Sequence, residues 1–402
     1  MRIAYLSPSS QLGGAEASLL DVFASLRDAE PQWTLRLVTS SDGPLVASAE
    51  AMGVETTVLP FPSALARLGD HAAALPSRGG LLPSLLAALP GVASYVRQLR
   101  GLLREISPDV VHSNGLKMHI LGVWTRPAGV PVIWHVREYV SSRPAMSRLL
   151  RWHASRCAAA VAISRTVAED LRAVCGSRID VRLVYNAIDT ETFVPTGPVA
   201  DLDALSSLPA PEAGTVRVGL PATLATWKGQ EVFLRALAAL PPRPPVRGYI
   251  VGGEVYEPEG SQASLRELRT MAAQLGIGDE VGFTGFVREP AAAMRALDIV
   301  VHASTRPEPF GRVIVEAMAC GRAVVASEAG GAAEIIEAGG NALGHTPGDA
   351  GMLAQKIEQL VNDPGLRQRL GAAGRATAER RFDRARLATD LVPIYRSLVA
   401  RA

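Results

Sequence analysis

Cysteine is scarce in this sequence of 402 residues, which holds only Cys157, Cys175 and Cys320. Their number is odd and no two have the CxxC spacing, so neither a disulfide framework nor a cysteine-based zinc site is expected. Each cysteine is instead predicted to be a small core residue of a protein in a reducing compartment.

Long apolar runs are also missing. The nearest candidate, residues 81–103, is interrupted by Pro83, Pro90 and Gly91, which argues against a membrane-spanning helix. The first ten residues, MRIAYLSPSS, contain a short apolar run and lack the longer hydrophobic stretch of a secretory signal. These two observations predict a cytoplasmic protein.

An excess of charge of either sign is absent as well. The formal net charge is +2, which is too close to neutrality for nucleic-acid binding to be expected from charge. Hydrophobic residues make up 48% of the chain and charged residues 20%, a balance typical of a globular protein. At roughly 100–200 residues per domain, this length predicts two or three domains.

The sequence does contain a repeated alternation of short β-rich runs with longer helical patterns. Within the runs, polar and apolar residues do not alternate, which is typical of strands buried on both faces of a parallel sheet. The first series comprises 3–6, 35–39, 55–59, 110–112, 132–135 and 161–163, and the second comprises 216–220, 248–252, 281–284, 299–302 and 323–327. Two such series predict an α/β protein with two doubly wound, Rossmann-like domains.

The domain boundaries follow from a change of composition. Residues 195–214 contain four prolines and two glycines, and no strong strand signal. We therefore predict a first domain over 1–195, a linker over 196–214, a second domain over 215–383 and a C-terminal helix over 384–402. That helix needs a surface to pack on, because it carries an apolar stripe formed by Leu387, Leu391, Ile394, Tyr395 and Leu398.

The segment 304–334 is the densest candidate site. Glu308 and Glu316 are separated by seven residues, and Glu308 follows the strand predicted at 299–302. Ligands of open α/β sheets gather at the carboxyl ends of the strands. The amides of Phe310 and Gly311 precede a predicted helix, and such amides bind phosphate or hydroxyl oxygens.

This segment resembles the donor-site signature of retaining glycosyltransferases of family 4, which have the GT-B fold. The family pattern, EPFG…EAMA.G.PVVAS…GG..E, is matched without a gap by Glu308, Glu316, 317–319, Gly321, 324–327, 330–331 and Glu334. Ala323 stands where the family often has proline. The resemblance implies a nucleotide-sugar donor, a UDP- or GDP-sugar, bound between two facing domains. Glu308 would orient the sugar hydroxyls, and Glu316 would accept hydrogen bonds from the ribose.

A lysine motif extends the resemblance. Residues 225–229, ATWKG, look like the family's phosphate-binding motif, which makes Lys228 a ligand of the donor phosphate. A cation there stabilises the charge of the departing diphosphate. The family often has an arginine five residues earlier, where this chain has Thr223, so Arg312 is a candidate to supply the missing contact. With a lysine and a helix N-terminus in this role, no metal and no cofactor are expected.

Further motifs implicate both domains. Residues 283–287, FTGFV, are similar to the turn that lines the base pocket, which implies donor contacts from Gly285 and Phe286. Gly13 and Gly14 resemble the family's glycine loop, which brings backbone amides towards the donor. No GxGxxG pattern follows the first strand, which weakens the alternative of a dinucleotide-dependent oxidoreductase.

The end of the strand at 132–135 carries the remaining candidates. The family has a histidine at this place that reaches the transferred sugar, so His135 is predicted to be a catalytic residue. Arg137 and Glu138, together with Glu16, are predicted to shape the acceptor side. Asn186 matches a family asparagine with a hinge or structural role. The resemblance also implies retention of the anomeric configuration, and a final helix that crosses back to the first domain.

The acceptor is left open between two classes. Seven arginines in 143–178 and the leucines of 81–89, followed by Arg97, Arg100 and Arg104, predict contact with an anionic membrane face. A lipid-linked or glycan acceptor in cell-surface polysaccharide or glycolipid synthesis would then be used there, at the inner face of the membrane. The alternative is a solvated arginine-rich surface and a soluble small-molecule acceptor.

Two further alternatives concern the activity. A nucleotide-sugar epimerase or a sugar phosphorylase shares the GT-B fold, and a fold does not fix a function. A non-catalytic binding protein built on this fold is the other. The Glu-x7-Glu block favours the transferase over both, because the donor-site residues are present together.

Overall fold

A computed structural model of the protein describes residues 1–63, 81–242, 244–253 and 264–401. The chain divides into two compact units. The first unit comprises Met1–Ala187 and Arg384–Ala402, and the second comprises Ile188–Asp383. The side chains at positions 81–88 lie outside the described residues, and with them most of the leucines predicted to face a membrane, Leu81, Leu82, Leu85 and Leu86.

The first unit is built on a parallel sheet. Its strands are β1 (Arg2–Ser7), β2 (Thr34–Thr39), β3 (Glu55–Val58), β4 (Val110–Asn114), β5 (Val132–Val136), β6 (Ala159–Ala162) and β7 (Val181–Leu183). They are ordered β3-β2-β1-β4-β5-β6-β7, so the direction of winding reverses between β1 and β4. Every residue of β4 and β5 is buried, as the unbroken apolar pattern requires of central strands.

Helices cover this sheet. They are α1 (Gly14–Ala29), α2 (Pro44–Ala51), α3 (Leu81–Ile106), α4 (Leu116–Thr125), α5 (Pro144–His153) and α6 (Arg165–Cys175). Short 3-10 turns lie at Val140–Ser142, Ala154–Arg156 and Gly176–Arg178. The Ser164 hydroxyl caps α6 by accepting a hydrogen bond from the Val167 amide, which satisfies one unpaired donor at that helix end.

The second unit is also built on a parallel sheet. Its strands are β8 (Val216–Pro221), β9 (Val246–Val251), β10 (Val281–Gly285), β11 (Ile299–His302), β12 (Ala323–Ser327) and β13 (Leu343–His345), in the order β10-β9-β8-β11-β12-β13. All pairs are parallel, and the winding reverses between β8 and β11. The predicted class, an α/β fold with two doubly wound parallel sheets, is therefore confirmed.

The helices of the second unit are α7 (Leu202–Ser206), α8 (Gln230–Ala238), α9 (Leu265–Gln274), α10 (Pro290–Arg295), α11 (Arg312–Ala319), α12 (Gly331–Ile335), α13 (Ala350–Asn362) and α14 (Pro364–Phe382). Two 3-10 turns lie at Thr226–Lys228 and Gly278–Glu280. The helices α13 and α14 start at aspartate caps, Asp349 and Asp363, each of which accepts a backbone N–H.

The stretch 196–214, predicted to be a linker, instead belongs to the second unit, which begins at Ile188. It contains α7, capped by Asp201, and the buried Asp203 on that helix. Arg217 and Arg247 form salt bridges with Asp203 at 2.6 and 2.8 Å. Its three prolines predict a linker from composition alone, whereas these charged contacts anchor it to the sheet.

The last helix, α15 (Ala385–Val399), belongs to the first unit. It packs on α1, and its buried side chains join the core formed by β1, β2 and α1. The Ser25 hydroxyl accepts a hydrogen bond from the Ala388 amide at 2.9 Å. Near its end, Arg396 forms a salt bridge of 2.5 Å with Glu30.

Candidate active site

The turn that carries Lys228 is fixed by a glycine. Gly229 has φ +78, and a Cβ atom there would lie 1.9 Å from the carbonyl oxygen of Ala303. Only glycine permits both the left-handed backbone and this close approach. The Thr305 amide donates a hydrogen bond of 2.8 Å to the Trp227 carbonyl. The loops that follow β8 and β11 are thereby held together at the point where the winding reverses.

The loop that carries Glu308 rests on a second pair of glycines. The Gly331 amide donates a hydrogen bond of 2.7 Å to the Glu308 carbonyl. A Cβ atom at Gly331 would lie 2.1 Å from the carbonyl oxygen of Pro309, so a larger residue would push this loop away. Gly330 has φ +63, which favours glycine. The glycine pair of the sequence motif therefore supports the backbone of the first glutamate.

Lys228 and Glu308 form a salt bridge, with 2.6 Å between Nζ and Oε1. The other carboxylate oxygen of Glu308 accepts hydrogen bonds from Ser304 Oγ at 2.7 Å and from His302 Nε2 at 2.6 Å. Burial tends to raise the pKa of Glu308, but the charge of Lys228 and the contact with His302 outweigh it and hold the pKa well below its usual range. Glu308 is therefore a carboxylate at neutral pH.

Lys228 is placed to bind an anion. Its Nζ atom also lies 4.2 Å from the centre of the Trp227 ring, a cation–π contact. An ammonium group has three N–H donors, and the salt bridge with Glu308 uses one of them. The pair lies at the reversal point of the sheet order, beyond the carboxyl ends of β8 and β11, which is the place where open α/β sheets bind ligands.

The second glutamate of the motif has a different partner. Arg312 Nε donates a hydrogen bond of 2.7 Å to Glu316 Oε1, so both side chains take part in an ion pair on α11. Gly311, with φ +96, precedes this helix. The Phe310 side chain is 3% exposed and packs edge-on against Phe382, so this side chain belongs to the core of the second unit.

Three further residues predicted to bind the donor, Thr223, Gly285 and Phe286, lie on neighbouring loops of this unit. The Thr223 carbonyl accepts hydrogen bonds from the Ala225 amide at 2.9 Å and from the Gln230 side chain at 2.8 Å, within the Lys228 turn. Gly285 ends β10 with φ +66. Phe286 follows it and is 68% exposed, so its ring offers a flat surface to a ligand such as a base.

In the first unit, the glycine loop opens α1. The Gly13 amide donates a hydrogen bond of 3.2 Å to Glu16 Oε2, an arrangement that fixes the start of the helix. Burial raises the pKa of Glu16, and the Arg137 guanidinium acts in the opposite direction, so the two groups lie within electrostatic range. The glycine loop that follows β1 and Arg137, which follows β5, lie at the same edge of the parallel sheet, with β4 between the two strands.

Arg137 is the centre of a polar cluster. Its Nε donates to Asn114 Oδ1 at 2.5 Å, and one terminal nitrogen donates to Asn186 Oδ1 at 2.8 Å. The other terminal nitrogen lies 3.3 Å from His135 Nδ1. Asn186, interpreted from sequence as structural, thus helps to hold a charged side chain next to the predicted catalytic histidine.

Glu138 is engaged elsewhere. It forms a salt bridge of 3.0 Å with Arg143, and burial raises the pKa of Glu138 while Arg143 opposes that shift.

His135 itself is 1% exposed, and its Nε2 atom has no hydrogen-bond partner among the described residues. A buried polar atom without a partner is uncommon and marks a place where a ligand can complete the bond.

Sequence reasoning missed several polar residues that the fold places beside the predicted ones. His302 ends β11 and Ser304 lies in the loop after it, and both donate hydrogen bonds to Glu308. Asn114 ends β4 and pairs with His135 on β5, and the ring of His112, two residues earlier, contacts the His135 ring. The sequence signal that could have identified them is the presence of polar side chains at the carboxyl ends of strands next to the point where the winding reverses.

Among the residues that the structure describes, no group of three or more His, Cys, Asp or Glu side chains is arranged to hold a metal ion. All three cysteines are buried and unpaired thiols. Within the described ranges, no helix combines the length and apolar character needed to cross a membrane.

Two sequence families match the two units. The model of the family described as "Glycosyl transferases group 1" matches residues 216–377. The model described as "Glycosyltransferase Family 4" matches residues 13–192. The first of these matches includes Lys228 and the Glu308–Glu316 segment, and the second includes the glycine loop and His135.

Individual relatives agree with these families. The chain is 32% identical over 255 residues to D-inositol 3-phosphate glycosyltransferase of Xylanimonas cellulosilytica, but the match covers 59% of this chain and only 56% of that relative. It is 27% identical over 350 residues to the lipopolysaccharide core biosynthesis mannosyltransferase LpsB of Rhizobium meliloti, a match that covers 79% of this chain and 97% of LpsB.

Solved structures extend the likeness to the whole fold. The crystal structure of Anabaena Alr3699/HepE in complex with UDP and glucose superposes with a TM-score of 0.79 at 28% identity, covering 99% of this chain and 100% of that one. Sucrose-phosphate synthase of Thermosynechococcus elongatus superposes with a TM-score of 0.78 at 21% identity, which supports the fold alone.

Proposed function

Because the chain is a family 4-like glycosyltransferase with the GT-B fold, we propose that it transfers a hexose-type sugar from a nucleotide-sugar donor with retention of the anomeric configuration. The observation that carries this proposal is the Lys228–Glu308 salt bridge at the reversal point of the second sheet. It places one cation and one hydroxyl-binding carboxylate side by side, as a sugar attached to a diphosphate requires.

The donor is proposed to be a UDP-sugar, with a GDP-sugar as the alternative. Alr3699/HepE, similar over its full length, was solved with UDP and with UDP-glucose. Lys228 would bind the diphosphate, and the backbone N–H groups before α11 would bind its oxygens. Glu308 would accept hydrogen bonds from the sugar, and Glu316, once released from Arg312, from the ribose. Phe286 would line the base pocket.

The reaction is proposed to run on one face of the sugar. The bond from the anomeric carbon to the diphosphate oxygen breaks, and the acceptor hydroxyl oxygen forms its bond on the same face. The acceptor proton passes to the departing phosphate oxygen. Lys228 and the α11 N-terminus stabilise the charge that develops on the diphosphate, the role that a metal ion fills in other transferases.

Retention and metal independence are tested together. We expect the product to have the same anomeric configuration as the donor sugar, measured by NMR of the purified glycoside. Activity should also persist in EDTA, because Lys228 supplies the positive charge. An inverted product contradicts the retaining mechanism. Loss of activity in EDTA that added magnesium or manganese restores contradicts metal independence.

Release of nucleoside diphosphate distinguishes the activities. A transferase releases UDP much faster when the acceptor is present than when it is absent. An epimerase converts the UDP-sugar into a different sugar without any acceptor. It releases UDP only if its reaction includes that step. A non-catalytic binding protein binds UDP and releases none from UDP-sugar. The donor for this assay is first identified by screening UDP- and GDP-sugars for binding to the purified protein.

The acceptor is proposed to be lipid-linked or a glycan, used at an anionic membrane face. Its support is an aromatic and basic surface on the first unit. Trp124 is 37% and Trp152 is 67% exposed, and His153 links them by accepting a hydrogen bond from the Trp124 indole and packing against Trp152. A pocket beside Trp124 is lined by Arg100, Arg104 and Arg126. Tryptophan and arginine suit the headgroup region of a bilayer.

Vesicle binding tests this surface. We expect the protein to co-sediment with phosphatidylglycerol vesicles and to bind phosphatidylcholine vesicles much less, with binding weakened as salt rises. Trp152→Ala should lower the bound fraction severalfold. Phe286→Ala is the matched control, since Phe286 is also 68% exposed but lies in the second unit. Equal binding of both vesicle types, or of both variants, favours a soluble acceptor like the one in the name of the inositol-phosphate relative.

A further inference from the structure

A line of buried hydrogen bonds connects the C-terminal helix to His135. Tyr5 Oη lies 3.0 Å from Tyr395 Oη, and Tyr395 Oη lies 2.8 Å from His112 Nδ1. His112 Nε2 then lies 3.0 Å from His135 Nδ1. All four side chains are at most 1% exposed, so water does not compete for these bonds. The line ends at His135 Nε2, which has no partner among the described residues.

Two opposite proton directions fit these distances, and they give His135 opposite chemistry. In one, Tyr395 donates to His112 Nδ1, His112 Nε2–H donates to His135 Nδ1, and the His135 proton is on Nε2. In the other, every bond is reversed, and His135 Nε2 is a bare acceptor. The first makes His135 a hydrogen-bond donor to substrate, and the second makes it a base.

The contact of Arg137 with His135 identifies which of the two directions the structure has. A guanidinium group has only N–H donors, and the terminal nitrogen of Arg137 lies 3.3 Å from His135 Nδ1. If Nδ1 carried a proton, two N–H groups would face each other in a buried site. Nδ1 is therefore an acceptor that receives N–H groups from both Arg137 and His112. Since His112 gives its Nε2 proton, its Nδ1 must accept from the Tyr395 hydroxyl.

We propose that Tyr395 and His112 are positioning residues, which hold His135 as the tautomer with its proton on Nε2 so that this N–H donates to a substrate hydroxyl oxygen. The role of the donated bond rests on the proposed transferase function, whereas the tautomer does not. A helix from the end of the chain thus sets the chemistry of a residue in the middle of the first unit. The buried, unpartnered Nε2 atom is the position that the substrate oxygen completes.

The electrostatics agree with a neutral line. Burial lowers the pKa of His112 to about 3, and the charge of Arg137 adds to that shift. Burial and Arg137 also lower the pKa of His135 well below its usual range. Burial raises the pKa of both Tyr5 and Tyr395. All four side chains are therefore uncharged at neutral pH, and the positions of their protons are set by the hydrogen bonds.

The first experiment observes the tautomer in the protein without substrate. Two-bond proton–nitrogen NMR spectra of protein with labelled histidine rings distinguish a protonated from a bare ring nitrogen. The chain has seven histidines, and the His135→Asn variant identifies the signals of His135. We expect the proton on Nε2 in the wild type. Tyr395→Phe should shift His135 towards a mixture of tautomers, because His112 Nδ1 loses its donor and His112 no longer has to keep its proton on Nε2. Only the longer contact of His135 Nδ1 with Arg137, at 3.3 Å against 3.0 Å for His112, then favours an unprotonated Nδ1. Tyr5→Phe should not.

The second experiment measures kinetics in matched variants. Tyr395→Phe and Tyr5→Phe each remove one buried hydroxyl, so they share a similar cost in packing and stability. Only Tyr395→Phe should lower kcat, by about tenfold, the effect of losing one oriented hydrogen bond. His112→Leu should do the same. His112→Gln should recover most of the activity, because its amide supplies the N–H that His112 Nε2 gives. The affinity for UDP should be unchanged in all four variants.

The results separate the inference from the proposed function. A wild-type His135 protonated on Nδ1 overturns the assigned tautomer. Equal spectra and equal kcat for Tyr395→Phe and Tyr5→Phe overturn the positioning role, even if the protein is a transferase. If no nucleotide sugar yields any transfer but the spectra follow the expected pattern, the proposed function fails and the assigned tautomer stands.

Discussion

Lys228→Ala is expected to weaken the binding of the nucleoside diphosphate and to lower kcat/KM by a factor between about 10 and about 150. The substitution removes a charge-assisted contact, which contributes about 1.5–3 kcal/mol. The second unit should stay folded, because Glu308 keeps its hydrogen bonds to His302 and Ser304. Titration calorimetry with UDP and initial rates with the identified UDP-sugar measure the two effects.

A matched control exists in the same unit. Lys356 lies on α13 and is partly exposed like Lys228, so Lys356→Ala removes an equal charge away from the predicted site. Thermal unfolding of both variants should resemble the wild type. Lys228→Ala should also raise the pKa of Glu308, since it removes the largest of the influences that lower it. A folded Lys228→Ala protein with wild-type UDP affinity and kinetics would remove Lys228 from the donor site.

The strands show which part of the fold a sequence specifies. Every strand predicted from an unbroken apolar run is present, with ends shifted by at most two residues. β7 and β13, which were not predicted, have only three residues each at the edges of the sheets. Three residues are too few to show a period, and their pairing depends on a neighbouring strand formed from distant sequence.

The stretch 196–214 illustrates a different limit. Proline and glycine were correct signals for irregular backbone, but composition carries no information about what that backbone contacts. Asp203 is buried because Arg217 on β8 and Arg247 on β9 bind it. The three residues are charged, and each alone predicts a solvent-exposed position. Only the folded arrangement of two strands and one short helix makes the burial of Asp203 favourable.

The candidate site was predictable where its residues are close in sequence. The Glu308–Glu316 segment and the Lys228 motif were identified, and the structure joins Lys228 to Glu308 over a separation of 80 residues. The motifs did not reveal the residues that hold the predicted site residues in position. Tyr395 belongs to the apolar stripe of α15, so sequence reasoning treated it as a core residue. Its contact with His112 spans 283 residues and depends on where that helix packs.

That packing leads to the second large effect. A chain ending at Arg384 lacks α15, and we expect it to lose the native structure of the first unit while the second unit persists. The helix contributes Leu387, Leu391, Val392, Tyr395 and Leu398 to the core, each at most 9% exposed. At about 1.5–3 kcal/mol for each large apolar side chain, their burial contributes on the order of 10 kcal/mol. The whole stability of a domain is about 5–15 kcal/mol.

The two units can be observed separately. Four of the five tryptophans, Trp33, Trp124, Trp134 and Trp152, belong to the first unit, so tryptophan fluorescence and near-ultraviolet circular dichroism report mainly on it. These signals should change in the truncated chain, and binding of a hydrophobic dye should rise. UDP binding should survive, because Lys228, Glu308 and their partners remain in the second unit. Transfer should be abolished, although every residue of the sequence motifs is still present.

A chain ending at Val399 is the control, because it removes only the three residues after α15. It should keep the wild-type fluorescence, melting temperature and activity. Adding a peptide of residues 385–402 to the truncated chain should restore part of the tryptophan signal, since the buried stripe supplies the binding energy. If the chain ending at Arg384 melts as the wild type does and transfers sugar at the wild-type rate, α15 contributes neither core nor catalysis. The assignment of Tyr395 as a positioning residue would fail in the same measurement.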